Sequence, residues 1–317
     1  KHILMKILWF PKLQFDTDRL HITTWREMSR EINRLGHELR LAVAGRNTNG
    51  DFGSVYIPVF IIPKKFLRIT SFLICGFFQF VVHYFRMMPD AVILDVYTVW
   101  FSLPLVILPK AIRPVLMIDN RTPVYIEEYR GYMNTLIMKT YSRLCFAYSR
   151  LFFDGITVIT THYLEYVKRT YGYEADRIGV WTSGVNIEVF DPEKFISEPR
   201  PDILKGKFVL MQHGEISHVR GIFKTIRALN IIGRDDICFM LVGDVVRSAS
   251  VKECIFKEIR DTDTGRHVRI FPPVPNSLIP RFISYCDCAV MAYPDLSYWN
   301  NNNPIKLVEY LSMGKPV

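Results

Sequence analysis

The chain has 317 residues, 49% of them hydrophobic and 14% aromatic, with a formal net charge of +9. That length allows two domains with separate cores, and that composition excludes an intrinsically disordered chain. The charge is uneven: residues 1–190 hold 23 Lys and Arg against 16 Asp and Glu, and residues 191–317 hold 17 against 15. A basic first half suits an anionic membrane surface or a phosphorylated ligand. Nucleic acid fits least, because no helix-turn-helix, zinc knuckle or RNP-like string is found. The six cysteines form no C-x-x-C pair, which favours free thiols in a reducing cytosol over a disulfide frame or a zinc site.

In chain order, residues 6–11 (KILWFP) are a short apolar run ended by Pro, the pattern of a buried parallel strand. A helix is expected over residues 22–35, with Trp25, Met28, Ile32 and Leu35 on one side and Gly36 closing it. Strands follow at 38–45 and 55–63. From there strands at 91–96, 115–119, 156–160 and 178–182 alternate with helices at 100–112, 125–153 and 163–171. That alternation reads as βαβ units on a parallel sheet. Residues 183–201 carry three prolines and no clear period, so residues 188–201 read as a linker between residues 1–187 and 202–317. The alternation restarts with strands at 208–212, 238–242, 268–271 and 289–292 and helices at 222–232, 251–260, 278–285 and 304–313. The fold class is therefore α/β, with two Rossmann-like domains whose strand ends are expected to share a cleft.

Residues 66–88 stand apart. This segment is apolar nearly all round, with Lys64, Lys65, Arg68 and Arg86 at its ends. Its uncharged core, residues 69–85, is at the short limit for a bilayer span. The pattern favours a buried core helix, with an interfacial membrane helix next and a true span last.

The last eighteen residues carry the chemistry. Asn303-Pro304 is a helix-start signal, and Gly314 a stop. The first free N–H groups of such a helix, with Lys306, suit a phosphate, and Glu309 suits sugar hydroxyls. The same residues also read as a capped amphipathic helix with a solvated Lys and Glu.

Several strings together resemble the retaining, nucleotide-sugar-dependent glycosyltransferases of family 4, which are GT-B proteins. They are Gly36-His37-Glu38, Ser183-Gly184-Val185-Asn186 with Phe190, the run from His213 to Gly221, Leu241-Val242-Gly243-Asp244, and the run from Pro304 to Val317. In order and spacing they cover almost the whole chain. The resemblance implies that Glu309 binds the nucleotide ribose and that Arg220 and Lys306 meet the diphosphate. Asn301 stands where the family has a Glu, leaving backbone N–H groups of Asn302 and Asn303 to hold the donor sugar. Gly214 and Glu215 occupy the phosphate-side loop, with Glu215 in place of a family Arg. In the first domain the family's Gly-Gly loop is replaced by Thr17-Asp18, and His21, Asp119 and Arg121 are the catalytic-side candidates. Asp119-Asn120-Arg121-Thr122 also reads as ordinary turn chemistry, and His21 as a helix cap.

The resemblance implies metal-independent sugar transfer from a nucleoside diphosphate sugar, with no cofactor, to an acceptor glycan or lipid-linked acceptor. A cytoplasmic protein, peripheral at the inner face of the cell membrane, is expected. An idle GT-B scaffold and a sugar-nucleotide epimerase are the alternatives. A dehydrogenase is disfavoured, since no G-x-G-x-x-G follows a strand. The first Met is Met5, and the sequence ends at Lys315-Pro316-Val317 where an apolar strand is expected. A piece of a longer chain, with its second domain truncated, is the expectation.

Overall fold

The computed structural model describes residues 4–11, 20–44, 56–62, 64, 67–121, 132–217, 220–244 and 249–317. The chain divides into two compact units, residues 1–182 with 300–303, and residues 183–299 with 304–317.

The first unit is built on a seven-stranded sheet of order β3-β2-β1-β4-β5-β6-β7. Its strands are β1 (Lys6–Phe10), β2 (Glu38–Ala44), β3 (Tyr56–Val59), β4 (Ala91–Leu94), β5 (Val115–Asn120), β6 (Gly155–Val158) and β7 (Ile178–Val180). All six pairings are parallel. The alternate side chains of β1 serve two cores. Leu8 and Phe10 join the larger one. Trp9 joins Trp25, Leu39 and Leu41 on the other face, under α1 (Leu20–Arg34). The larger core is covered by α2 (Leu67–Met87), α3 (Leu103–Val106), α4 (Tyr132–Phe152) and α5 (Thr161–Tyr171). Gly36 closes the turn after α1 at φ +95°, where a side chain would be strained.

The helix expected over residues 100–112 is instead a 3₁₀ turn, Val99–Ser102, running into the four-residue α3. Pro104 is tolerated in the first turn of α3, whereas Pro109 could not continue the helix. The buried-core reading of residues 66–88 is also corrected. Ser71, Phe72, Gly76, Phe80 and Met87 are buried, while Ile74, Phe78 and Phe85 are 60%, 71% and 69% exposed.

The second unit has a four-stranded parallel sheet of order β10-β9-β8-β11, from β8 (Phe208–His213), β9 (Ile237–Val242), β10 (Val268–Phe271) and β11 (Cys288–Ala289). Its helices are α6 (Ile222–Ile232), α7 (Ala249–Asp261), α8 (Ile279–Ser284), the single turn α9 (Ser297–Asn300) and α10 (Ile305–Ser312). Residues 183–201 pack with this unit instead of standing apart. Phe190 is 3% exposed in its core, and its carbonyl accepts a hydrogen bond from Ser312 Oγ at 2.7 Å. Among the glycines, Gly243 sits at φ +151°, and a Cβ there would lie 1.8 Å from the Gly214 carbonyl oxygen, so no other residue fits. Gly184 has no positive φ and open space around it, so its backbone does not require glycine. The six cysteines are free, with Cys145, Cys238 and Cys286 buried and Cys254 exposed.

Candidate functional site

In the second unit the site gathers where β8 and β9 end. Parallel strands leave their last carbonyls to bond the following loops. Gly214 N donates to Val242 O at 2.7 Å, Ile216 N to Asp244 O at 2.9 Å, and Gly243 N to Phe271 O at 3.1 Å. The loop after β8 is thus held against the end of β9. Gly214, at φ +94°, leaves bare Cα surface, and the tip of Lys306 fills it. A Cβ on Gly214 would sit 2.6 Å from Lys306 Nζ and Cε.

Lys306 and Glu309 come from the first turns of α10. The helix starts at Ile305 with Pro304, not Asn303, as its N-cap, and Pro304 makes no side-chain cap bond. Lys306 is 5% exposed and Glu309 1% exposed, so the solvated reading of both does not hold. Glu309 Oε2 lies 3.2 Å from His213 Nε2 at the end of β8, without a well-aligned hydrogen bond between them. Tyr310 is buried, and its hydroxyl accepts from His213 N at 3.1 Å. The strand end and the helix are thereby locked together.

The electrostatics follow from burial. Desolvation pulls the Lys306 ammonium down to about 7, and Arg220 adds to that, while Glu309 and Glu215 oppose it. Burial also lowers the affinity of His213 for a proton, against the pull of Glu309, so its imidazole is neutral near pH 7. Arg220, at the other side, is aimed by an aromatic clamp. Its guanidinium carbon lies 5.4 Å from the Trp299 ring centroid and 5.9 Å from that of Tyr293. The two rings stack at 4.3 Å with 7° between their planes. Arg220 Nη1 donates to the Tyr293 hydroxyl at 3.2 Å, and Nη2 to Glu215 Oε2 at 3.4 Å. Gln212 Nε2 holds the Arg220 carbonyl at 3.0 Å. One cation is thus packed over Gly214, a second lies on a ring platform, and a buried carboxylate completes the set. Such a set matches the phosphates and hydroxyls of a nucleoside diphosphate.

In the first unit Asp119 and Arg121 stand at the end of β5. Asp119 is 4% exposed, and its Oδ1 accepts from Thr157 Oγ1 at 2.8 Å. Arg121 Nη1 is 3.9 Å from Asp119 Oδ1, its Nη2 reaches the Trp181 and Thr182 carbonyls at 3.3 Å, and it lies over the Trp181 ring at 5.5 Å. Burial lowers its proton affinity, and Asp119 counters this. Asn301, Asn302 and Asn303 group with this first unit, and Asn301 O accepts from Thr160 Oγ1 at 3.3 Å. Thr17-Asp18, Thr122 and the side chain of His21 lie outside the described residues, as do His218 and Val219. His162 is exposed near the start of α5.

Residues 194–317 match the family described as "Glycosyl transferases group 1". Over this segment the chain is similar to that family. The whole chain has the GT-B fold of solved glycosyltransferases. A glycosyltransferase from Rickettsia africae ESF-5 is similar over 99% of this chain and 78% of its own, at 14% identity and a TM-score of 0.66. Sucrose-phosphate synthase from Thermosynechococcus elongatus is similar over 98% of this chain and 80% of its own, at 13% identity and a TM-score of 0.67. Anabaena HepE, solved with UDP and glucose, is similar over 99% and 80%, at 14% identity and a TM-score of 0.65. None of the curated proteins matches the sequence.

Within the second unit, Gly214, Glu215, Arg220, Lys306 and Glu309 come together as one cluster. No role for His213, Tyr293, Trp299 or Tyr310 follows from the sequence alone. His213 was legible as the last residue of a strand followed by Gly. The aromatic clamp was not, because its rings come from a stretch without periodicity.

Proposed function

We propose that the protein transfers a sugar, with retention, from a nucleoside diphosphate sugar to an acceptor glycan or lipid-linked acceptor of the cell envelope. The observation that carries this is the buried carboxylate of Glu309 beside Lys306 at the start of α10, inside the segment similar to the group 1 family. In this reading Glu309 accepts hydrogen bonds from the ribose hydroxyls, with His213 packed close behind the carboxylate. Arg220, Lys306 and the first N–H groups of α10 take the charge that grows on the departing diphosphate. Those groups take the place a divalent ion would fill, so transfer is metal-independent and persists in a chelator. The diphosphate oxygen that leaves is the base for the acceptor hydroxyl. Asp119 and Arg121 serve the acceptor side, with Asp119 steadying the guanidinium.

The test is a thermal-shift screen with UDP, GDP, ADP, CMP and their sugars, each on the full chain and on Glu309→Ala. A ligand bound only by the folded state stabilises by about 2.7 kcal/mol at a hundredfold excess over Kd. A shift with one nucleotide that disappears in Glu309→Ala supports the reading and names the base. One observation favours a second reading, an idle GT-B binding protein: Glu215 faces Arg220 at 3.4 Å where the resemblance calls for a cation. Nucleotide binding without turnover of any sugar would select it. An epimerase would interconvert sugars without acceptor.

A further inference from the structure

Three stretches of the first unit lack carboxylates. Between Asp51 and Asp90 the sequence holds Lys64, Lys65, Arg68 and Arg86 and no Asp or Glu. Between Asp95 and Asp119 it holds Lys110 and Arg113, and between Glu128 and Asp154 it holds Arg130, Lys139, Arg143 and Arg150, again without an acid. These stretches supply α2, α3 and α4, which cover the same face of the sheet. They are contiguous: Phe77 of α2 meets the Phe101 ring at 5.7 Å, and Trp100 beside it meets Tyr148 of α4 at 5.0 Å.

The outer side of this layer is apolar. On α2, Ile74, Phe78 and Phe85 recur at four and seven residues, along one stripe, and are 60% or more exposed. Ile107 after α3 is 81% exposed, and Ile137 and Leu144 on α4 are 57% and 58% exposed. Only 22% of the most apolar stretch of α2 is buried, although the helix is long and apolar enough to cross a membrane. It cannot cross one here. It is the connection between β3 and β4 of one sheet, and its inner side is fixed in the core by Phe72, Gly76 and Phe80.

We propose that the outer face of α2, continued by α3 and α4, is a docking surface for an anionic lipid bilayer. Charge complementarity selects this occupant. A second copy docked through α2, α3 and α4 would bring their cations together with no carboxylate on those three helices to offset them; Arg113, already paired with Asp154, takes no part. A bilayer offers headgroup phosphates at the level of the exposed Lys64 and Arg86 and an acyl layer at the depth of Ile74, Phe78 and Phe85. A helix lying in that plane sinks its apolar side roughly 5–10 Å below the headgroups. The inference does not depend on which sugar is moved, or on whether any is.

The experiment is co-sedimentation of the full chain with phosphatidylglycerol-containing vesicles and with pure phosphatidylcholine vesicles, at rising salt. Binding is expected to the anionic vesicles, to weaken with salt, and to fall roughly fivefold for each cation removed in Lys64→Gln and Arg86→Gln. The double variant Phe78→Ser/Phe85→Ser, altered only at exposed positions, is expected to lose at least tenfold in binding while keeping the melting temperature and the nucleotide-induced shift of the parent. Equal, salt-insensitive binding to both vesicle types would overturn the proposal. So would absence of vesicle binding together with a dimer in sedimentation velocity that Phe78→Ser/Phe85→Ser dissociates, which would hand the face to a second copy. Failure of the nucleotide shift in the parent would count against the donor site alone.

Discussion

At Lys306 the side chain needed for a ligand is costly for the empty fold. Its pKa falls from 10.5 to about 7, so the folded chain sheds a proton that the unfolded chain keeps. Protonation therefore favours unfolding, and stability is expected to rise as pH rises from about 7 toward 10.5. The slope has a ceiling of about 1.4 kcal/mol per pH unit from this group. Urea unfolding at pH 7 and pH 9 should show the parent gaining on Lys306→Met across that window, and parallel curves would rule out the buried cation. A bound diphosphate would restore the charge, so nucleotide binding is expected to take up protons above pH 7. Calorimetry in buffers of different ionisation enthalpy measures this directly. Arg220 has the complementary role. Arg220→Ala is expected to lower kcat/KM at least tenfold, since one contact to a developing oxyanion is worth about 2.7–4 kcal/mol. Unchanged turnover would remove Arg220 from the donor site. At Gly243 the constraint is steric. A Cβ would meet the Gly214 carbonyl at 1.8 Å, so Gly243→Ala should cost several degrees of melting temperature and nucleotide binding together.

At the scale of elements, both sheets are registered by one device. An aspartate just before a strand captures the first amides of its neighbour. Asp90 accepts from Lys6 N at 2.7 Å, Asp154 from Leu116 N at 2.9 Å, and Asp287 from Val209 N at 2.8 Å. Two of the three are also gripped by Arg: Asp154 by Arg113 at 3.0 Å through both terminal nitrogens, and Asp287 by Arg200 at 2.5 Å. At Asp287 burial works against ionisation, but Arg200 and the Val209 N–H outweigh it and hold the carboxyl below its usual range. Charge-assisted bonds of this kind contribute about 1.5–3 kcal/mol each, less where exposed. Asp154→Ala should therefore lower stability by about 1–3 kcal/mol in chemical denaturation without changing nucleotide affinity. The pattern is readable in outline, since an Asp stands just before β4, β6 and β11 in the sequence. That the carboxylate reaches sideways to the adjacent strand, and not along its own, depends on strand order.

At the scale of the molecule, the two units have separate cores and separate chemical characters. The second holds the cluster of Arg220, Lys306 and Glu309 proposed to bind the donor, and hydrogen exchange with a bound nucleotide should show protection concentrated at residues 213–221, 243–244 and 305–312. Protection spread evenly over β1 to β7 would contradict the placement. The first holds the basic, carboxylate-free helical layer. Period-two and period-3.6 patterns located most elements, because strands buried on both faces and helices with one apolar side leave those marks. They misplaced residues 100–112, where apolar residues continue through two prolines, and they could not divide α2 into a buried and an exposed side.

What the amino-acid sequence determined by itself is the order of strands and helices along the chain, the helix bearing Lys306 and Glu309, the positions of Gly214 and Gly243 at strand ends, and that of Arg220 just before a helix. Those are local matters of periodicity, turn chemistry and spacing. Only the tertiary structure decided that Lys306 lies buried on bare Gly214, that His213 faces Glu309, and that Trp299 and Tyr293 aim Arg220. It also decided that the most apolar helix keeps Phe78 and Phe85 outside. Each of these depends on which chain segments become neighbours once parallel strands align, and burial, which sets both charge state and exposure, is a property of those neighbours and not of the residue.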